Sequence, residues 1–203
     1  MMFLPILALA CAGCKVIEQP SGLIPHWTMA WREVASEADE ARLRDWRKTF
    51  VDALAAANKT NAAEVAREGA LLQPDSAIAF QPLPNSLYRC RVIKLGAKGE
   101  GNLNFVAYPS FTCRIRPEHN LQRLTKVSGS QRYVGVLFPA DAMRQVFLGT
   151  LVLSDERRAL QYGQDDARDV AGYIERIDDR WRLVMPAPHF ESRLDVMELV
   201  PIK

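Results

Sequence analysis

The chain of 203 residues has little of what the common enzyme chemistries require. Its three histidines, His26, His119 and His189, stand far apart, so neither His-x-x-x-His nor His-Glu-x-x-His occurs and a hydrolytic metal site has no ligand set. Gly-x-Ser-x-Gly is missing, which removes the usual frame for a serine nucleophile. No Cys-x-x-Cys lies beyond the first 14 residues, so a zinc ribbon or dithiol redox motif has no basis. Gly96, Gly99 and Gly101 lack the spacing and the following helix of a phosphate cradle. The formal charge is only +2 and the basic residues are interspersed with acidic ones, so nucleic acid is not an implied partner. No repeat occurs, and no apolar run reaches the roughly 20 residues that span a bilayer as a helix. Neither a metal nor an organic cofactor is implied.

What is present begins at the N-terminus. Phe3 to Ala10 is apolar and is followed by small residues, the form of an export leader. The leader ends at a cysteine, as in bacterial lipoproteins, where the first mature residue is acylated. Cys14, after Ala12-Gly13, is the expected lipidation site, and Cys11, after Leu9-Ala10, is the alternative. The reading is therefore an envelope protein facing the periplasm and held to a membrane by an N-terminal lipid; a soluble periplasmic or secreted protein is the alternative.

The other two cysteines agree with that compartment. Tyr88, Cys90 and Val92 share one face of an alternating segment, and Phe111, Cys113 and Ile115 share one face of another. Glycine-rich turn material from Gly96 to Asn102 lies midway, so a hairpin brings the cysteines opposite each other. An oxidising compartment then predicts a Cys90 to Cys113 disulfide, worth about 3 kcal/mol by loop closure.

After the leader (1–14) and a tether (15–30), the period is helical. Ser36 is placed to cap a helix whose apolar stripe is Leu43, Trp46, Phe50, Val51 and Leu54. A second short helix is expected from Asn61 to Glu68, with Gly69 as its stop. These form a helical arm over 31–72. Prolines Pro74, Pro82 and Pro84 break regular structure over 73–86, which reads as a linker.

From Leu87 the period is two. Nine candidate strands run to Leu199, starting with Leu87 to Leu95 and ending with Leu194 to Leu199. Turns such as Ser128-Gly129-Ser130 and Asp178-Asp179 are too short for parallel crossovers, so neighbouring strands are antiparallel. Gly135, Gly149 and Gly172 inside strands permit the coiling that closure demands. The fold class is α+β, mainly β: an N-terminal helical arm packed on an antiparallel meander β-barrel over 87–203, with a two-sheet β-sandwich as the alternative.

Tyr88-Arg89-Cys90-Arg91-Val92-Ile93-Lys94-Leu95-Gly96, Cys113-Arg114-Ile115-Arg116, Gly129-Ser130-Gln131-Arg132, Phe147-Leu148-Gly149, Tyr162-Gly163 with Asp169, and Trp181-Arg182-Leu183 with Glu191-Ser192 and Glu198-Leu199 resemble the bacterial family called domain of unknown function 4893. The resemblance covers roughly Trp31 to Pro201. It implies an exported, envelope-associated protein and brings no catalytic residues with it.

The candidate binding loop is Ser128, Gly129, Ser130, Gln131, Arg132 and Tyr133, at a strand junction on the barrel rim. It also resembles the Ser-Gly-x-x-Tyr loop of envelope-anchored inhibitors of c-type lysozyme, with one extra residue before Tyr133. Arg89, Arg91, Arg114 and Arg116 lie opposite the cysteines and form a candidate basic stripe, for an anion or for carboxylates such as Glu175 and Asp195. Asp165, Asp166 and Asp169 lack the spacing of a calcium loop. The expected function is binding of a small molecule at the barrel mouth or of an envelope protein at the rim. The alternatives are a lysozyme or protease inhibitor acting through the 128–133 loop, and a hydrolase. A hydrolase requires two or three of Asp169, Arg168, Glu191, His189 and Ser192 to converge in one pocket.

Overall fold

The computed structural model describes residues 30–154 and 156–202. The leader, both candidate lipidation cysteines, His26 and all but the last residue of the tether lie outside the described residues.

Helix α1 (Glu37–Arg44) starts where Ser36 Oγ accepts from the Asp39 amide at 3.2 Å. Helix α2 (Trp46–Arg67) follows after a single break at Asp45. The expected short second helix is the last part of α2, set off by a kink at Asn61, whose φ of −134° and ψ of 37° leave the helical region. Phe50, Ala53 and Ala57 form the buried stripe; Val51, expected on it, is exposed, because it falls one position past Phe50 and so turns away from the sheet.

The strands are β1 (Leu87–Ala97), β2 (Phe105–Ala107), β3 (Phe111–Glu118), β4 (Leu121–Lys126), β5 (Gln131–Pro139), β6 (Arg144–Leu153), β7 (Asp169–Ile177), β8 (Arg180–Pro186) and β9 (Ser192–Pro201). From β3 to β9 each pairs antiparallel with the next, and β1 pairs with both β3 and β9, which closes an eight-stranded barrel and excludes the open sandwich. β2 is the extra strand. It follows the line of β3 along β1, since Cys90 pairs with Phe111 and Ile93 with Ala107. Three steps on β1 therefore face four on the opposing chain, a bulge at Tyr108, Pro109 and Ser110 that interrupts the wall.

Gly96 belongs to β1 rather than to the following turn. Its φ is +69°, and a Cβ there would stand 3.1 Å from the Ala53 backbone, so its lack of a side chain lets α2 lie close on the sheet. The cysteines form the expected disulfide, with Cα atoms 5.9 Å apart. They are diagonal rather than opposite: Cys90 pairs with Phe111 and Cys113 with Tyr88.

The barrel interior is filled. Tyr88, Val92, Ile115, Leu124, Leu137, Phe147, Ile174, Leu183 and Met197 pack there with the disulfide. On the outer face, Ile93, Leu95, Val184, Leu194 and Val196 lie under α2, and Val146, Leu148 and Ala171 lie under Trp31 and Leu43. Each strand in the seam β8–β9–β1 is apolar on both faces because the arm covers one and the interior the other.

Segment 73–86 is irregular apart from a single bridge between Ile78 and Arg176, as its prolines require. It is more than a linker. Leu83 is buried in the interior cluster with Phe80 against it, Trp181 Nε1 donates to the Gln81 carbonyl at 2.9 Å, and Tyr88 donates its hydroxyl to the Pro84 carbonyl at 2.7 Å. The chain thus plugs the barrel end at which β1 and β8 begin.

Candidate functional site

The opposite end, where β1 finishes and β9 starts, has polar side chains at positions phased to the apolar interior. Lys94 continues the face of Tyr88, Cys90 and Val92; Asp195 precedes Met197 and Leu199 on theirs; Tyr133 starts the interior face of β5. Lys94 Nζ is 2.7 Å from Glu191 Oε2 and 3.8 Å from Asp195 Oδ2. Tyr133 donates its hydroxyl to Asp195 Oδ2 at 3.2 Å, and Ser192 donates to Asp195 Oδ1 at 2.5 Å. A buried carboxylate is thereby met by two hydroxyls and an ammonium, as burial of a charge demands. Burial still raises the Asp195 carboxyl above its ordinary range, against the pull of Lys94 and the two hydroxyls. Burial also raises the Tyr133 phenol, with the Asp195 charge adding to it. For Lys94 burial acts downward, but Asp195 and Glu191 outweigh it and the ammonium is held above the usual lysine range.

Above this network lies a cleft of about 310 Å³ that opens through the interrupted wall. Val92, Tyr108, Pro109 and Phe111 line it with apolar and aromatic surface, and Lys94, Lys126, Ser128, Ser130, Gln131 and Tyr133 with polar groups. Lys126 Nζ stands 4.1 Å over the Phe111 ring centroid. Its ammonium is held below the ordinary lysine range, first by burial and then by the charges of Lys94 and Arg132.

Five of the six residues in the expected binding loop, Ser128, Gly129, Ser130, Gln131 and Tyr133, line this cleft. Arg132 points the other way and donates to the carbonyls of Gly129, Ser154 and Glu156, tying the loop to the β6 end. The stripe of Arg89, Arg91, Arg114 and Arg116 is divided on the outer wall. Arg91 is bound to Glu68 at 2.6 Å and Glu198 at 3.0 Å; Arg114 and Arg116 line one surface groove with Arg157 and Glu156; Arg89 lines another with Val200 and Ile202. Glu175 and Asp195 face Arg182 and Lys94 instead of the stripe.

Of the five residues of the hydrolase reading, Glu191 and Ser192 come together and the other three stand apart from them. Arg168 pairs with Glu156 and Asp165; Asp169 accepts from the Gly163 amide at 2.9 Å; Glu191 and Ser192 belong to the Lys94 and Asp195 group; His189 is exposed. Sequence reasoning passed over Lys94 and Lys126 as site residues and took Asp195 only as a counter-charge for the arginine stripe. The signal was there: each is a charge in phase with apolar neighbours on a half-buried strand.

The class defined is a closed antiparallel barrel with one end stopped by its own chain and a lysine-lined cleft at the other. The family model for a domain of unknown function, DUF4893, matches residues 31–199, and the chain belongs to that family. No curated protein and no solved structure matches it significantly.

Proposed function

We propose that the protein is a binding module of the cell envelope that takes a small molecule in the cleft between Val92, Phe111, Lys126 and Tyr133. The observation that carries this reading is the asymmetry of the barrel. A filled interior leaves no through-channel, one end is plugged by 73–86, and the other keeps a partly apolar cleft with a few convergent polar groups. That combination is the ordinary form of a ligand site. A fragment library followed by amide chemical shifts tests it: hits are expected to move Val92, Tyr108, Gly129 and Tyr133 together. Hits scattered over the surface, or none, would overturn it.

The same reading has the chain exported and acylated on Cys14. The disulfide supports it, since such bonds persist where the compartment oxidises. Intact mass of protein extracted from bacterial membranes is expected to show acyl groups that are lost in Cys14→Ala and kept in Cys11→Ala. An unacylated chain in the cytoplasmic fraction would refute the anchor.

A further inference from the structure

The geometry points to an anion as the ligand: we propose that the cleft takes a small organic anion, an oxyanion head group on an apolar body, with Lys126 holding the head. This deepens the binding reading above and rests on it.

Among the described residues, the charged ones that line the cleft are Lys94 and Lys126, and no carboxylate lines it. The two nearby carboxylates are engaged below it, Glu191 at 2.7 Å and Asp195 at 3.8 Å from Lys94. Among the described residues, no carboxylate stands within ion-pair distance of Lys126; its neighbours are the Phe111 ring beneath it and Gly129, where a Cβ would lie 3.3 Å from Nζ. A half-buried ammonium in that position has lost part of its hydration without gaining a counter-charge. Repulsion from Lys94 and Arg132 adds to its cost, and an oxyanion between the two lysines would relieve both.

The remaining lining fits the head and the body separately. Ser128, Ser130 and the Gln131 carboxamide offer hydroxyl and amide donors to the head. Val92, Tyr108, Pro109 and Phe111 offer apolar and aromatic surface to the body. A volume of about 310 Å³ is at the small end for ligand sites, so the body is of the order of one ring.

Four probes of one shape test the proposal on the intact folded chain: benzoate, phenyl phosphate, benzamide and benzyl alcohol, titrated against the cleft amides. At least one anion is expected to bind about tenfold more tightly than the neutral pair, the size of one charge-assisted hydrogen bond. The two anions separate a carboxylate ligand from a phosphate ester. Lys126→Gln is expected to remove the advantage and Lys126→Arg to keep it. Equal binding of anions and neutral isosteres, or anion binding unchanged in Lys126→Gln, overturns anion selection while the binding reading stands. No response to any of the four at millimolar concentration overturns both.

Discussion

Asp169 starts β7 with its side chain only 3 % exposed, and one of its oxygens, Oδ1, has no hydrogen-bond partner among the described residues. Burial raises its carboxyl from 3.8 to about 6; the Gly163 amide opposes the shift, and the charges of Asp39 and Asp166 add to it. A carboxyl raised on folding holds its proton more tightly in the native state, so the native form binds more protons than the unfolded one between those two values. Stability therefore falls as pH rises from about 4 to about 6, and stays reduced above that. Asp169→Asn is expected to abolish this loss: equal to the parent in urea unfolding at pH 4, it should be more stable by about 2 kcal/mol at pH 7.5. The asparagine oxygen can still accept from Gly163. Parallel pH profiles for the two proteins would refute the assignment. Single residues of this kind were the least legible from sequence. In sequence Asp169 stands in an acidic run with Asp165 and Asp166, and only the fold sets it near Asp39 of α1, which accepts from the Tyr162 hydroxyl at 2.5 Å.

Whole elements were more legible, because periodicity reports on which face is buried and says little about what covers it. All nine strands lie where the alternation places them, yet the sequence did not show that 73–86 enters the barrel or that Arg182 is entirely buried. Arg182 is on the outer face of β8, where it forms a salt bridge to Glu175 at 2.7 Å and donates to the carbonyls of Leu71, Gln73 and Pro74. It thus closes the irregular end of the helical arm, whose terminal carbonyls would otherwise be orphaned. Arg182→Met is expected to cost about 3 to 5 kcal/mol, since it takes from buried Glu175 its 2.7 Å partner and leaves only Arg144 at 3.7 Å, whereas Arg182→Met with Glu175→Gln should recover a good part of that. Additive losses in a double-mutant cycle would exclude the coupling. Gly135 and Gly149 are direct partners on β5 and β6, and the Phe147 ring covers both from inside. A Cβ on Gly149 would meet the Val134 carbonyl and the Phe147 ring at 2.4 and 2.5 Å, so Gly149→Ala forces the β5 and β6 backbones apart. A loss of about 1 to 3 kcal/mol is expected from thermal unfolding, and an unchanged midpoint would contradict the packing described.

At the scale of the molecule, arm and barrel share one buried interface and are expected to unfold as one unit. The seam β8–β9–β1 closes the barrel, and it is the surface that α2 covers through Phe50, Ala53 and Ala57 on Ile93, Leu95, Val184, Leu194 and Val196. Neither half buries these residues without the other: a barrel stripped of its arm would expose a contiguous apolar patch, and the arm alone, with a stripe only three or four residues wide, would fall short of a stable helix in water. Trp46 on α2 and Trp181 on β8 report the two halves separately. In urea, a variant that keeps Trp46 as its sole tryptophan and one that keeps Trp181, the others replaced by phenylalanine, are expected to give the same midpoint and the same slope. The disulfide joins residues 23 apart on β1 and β3, inside the barrel and away from the arm. Replacing both cysteines by alanine should therefore lower stability by about 3 kcal/mol by loop closure, and move both reporters together. If the Trp181 signal shifted while Trp46 kept its midpoint, the arm would be folding on its own and the seam would not couple them.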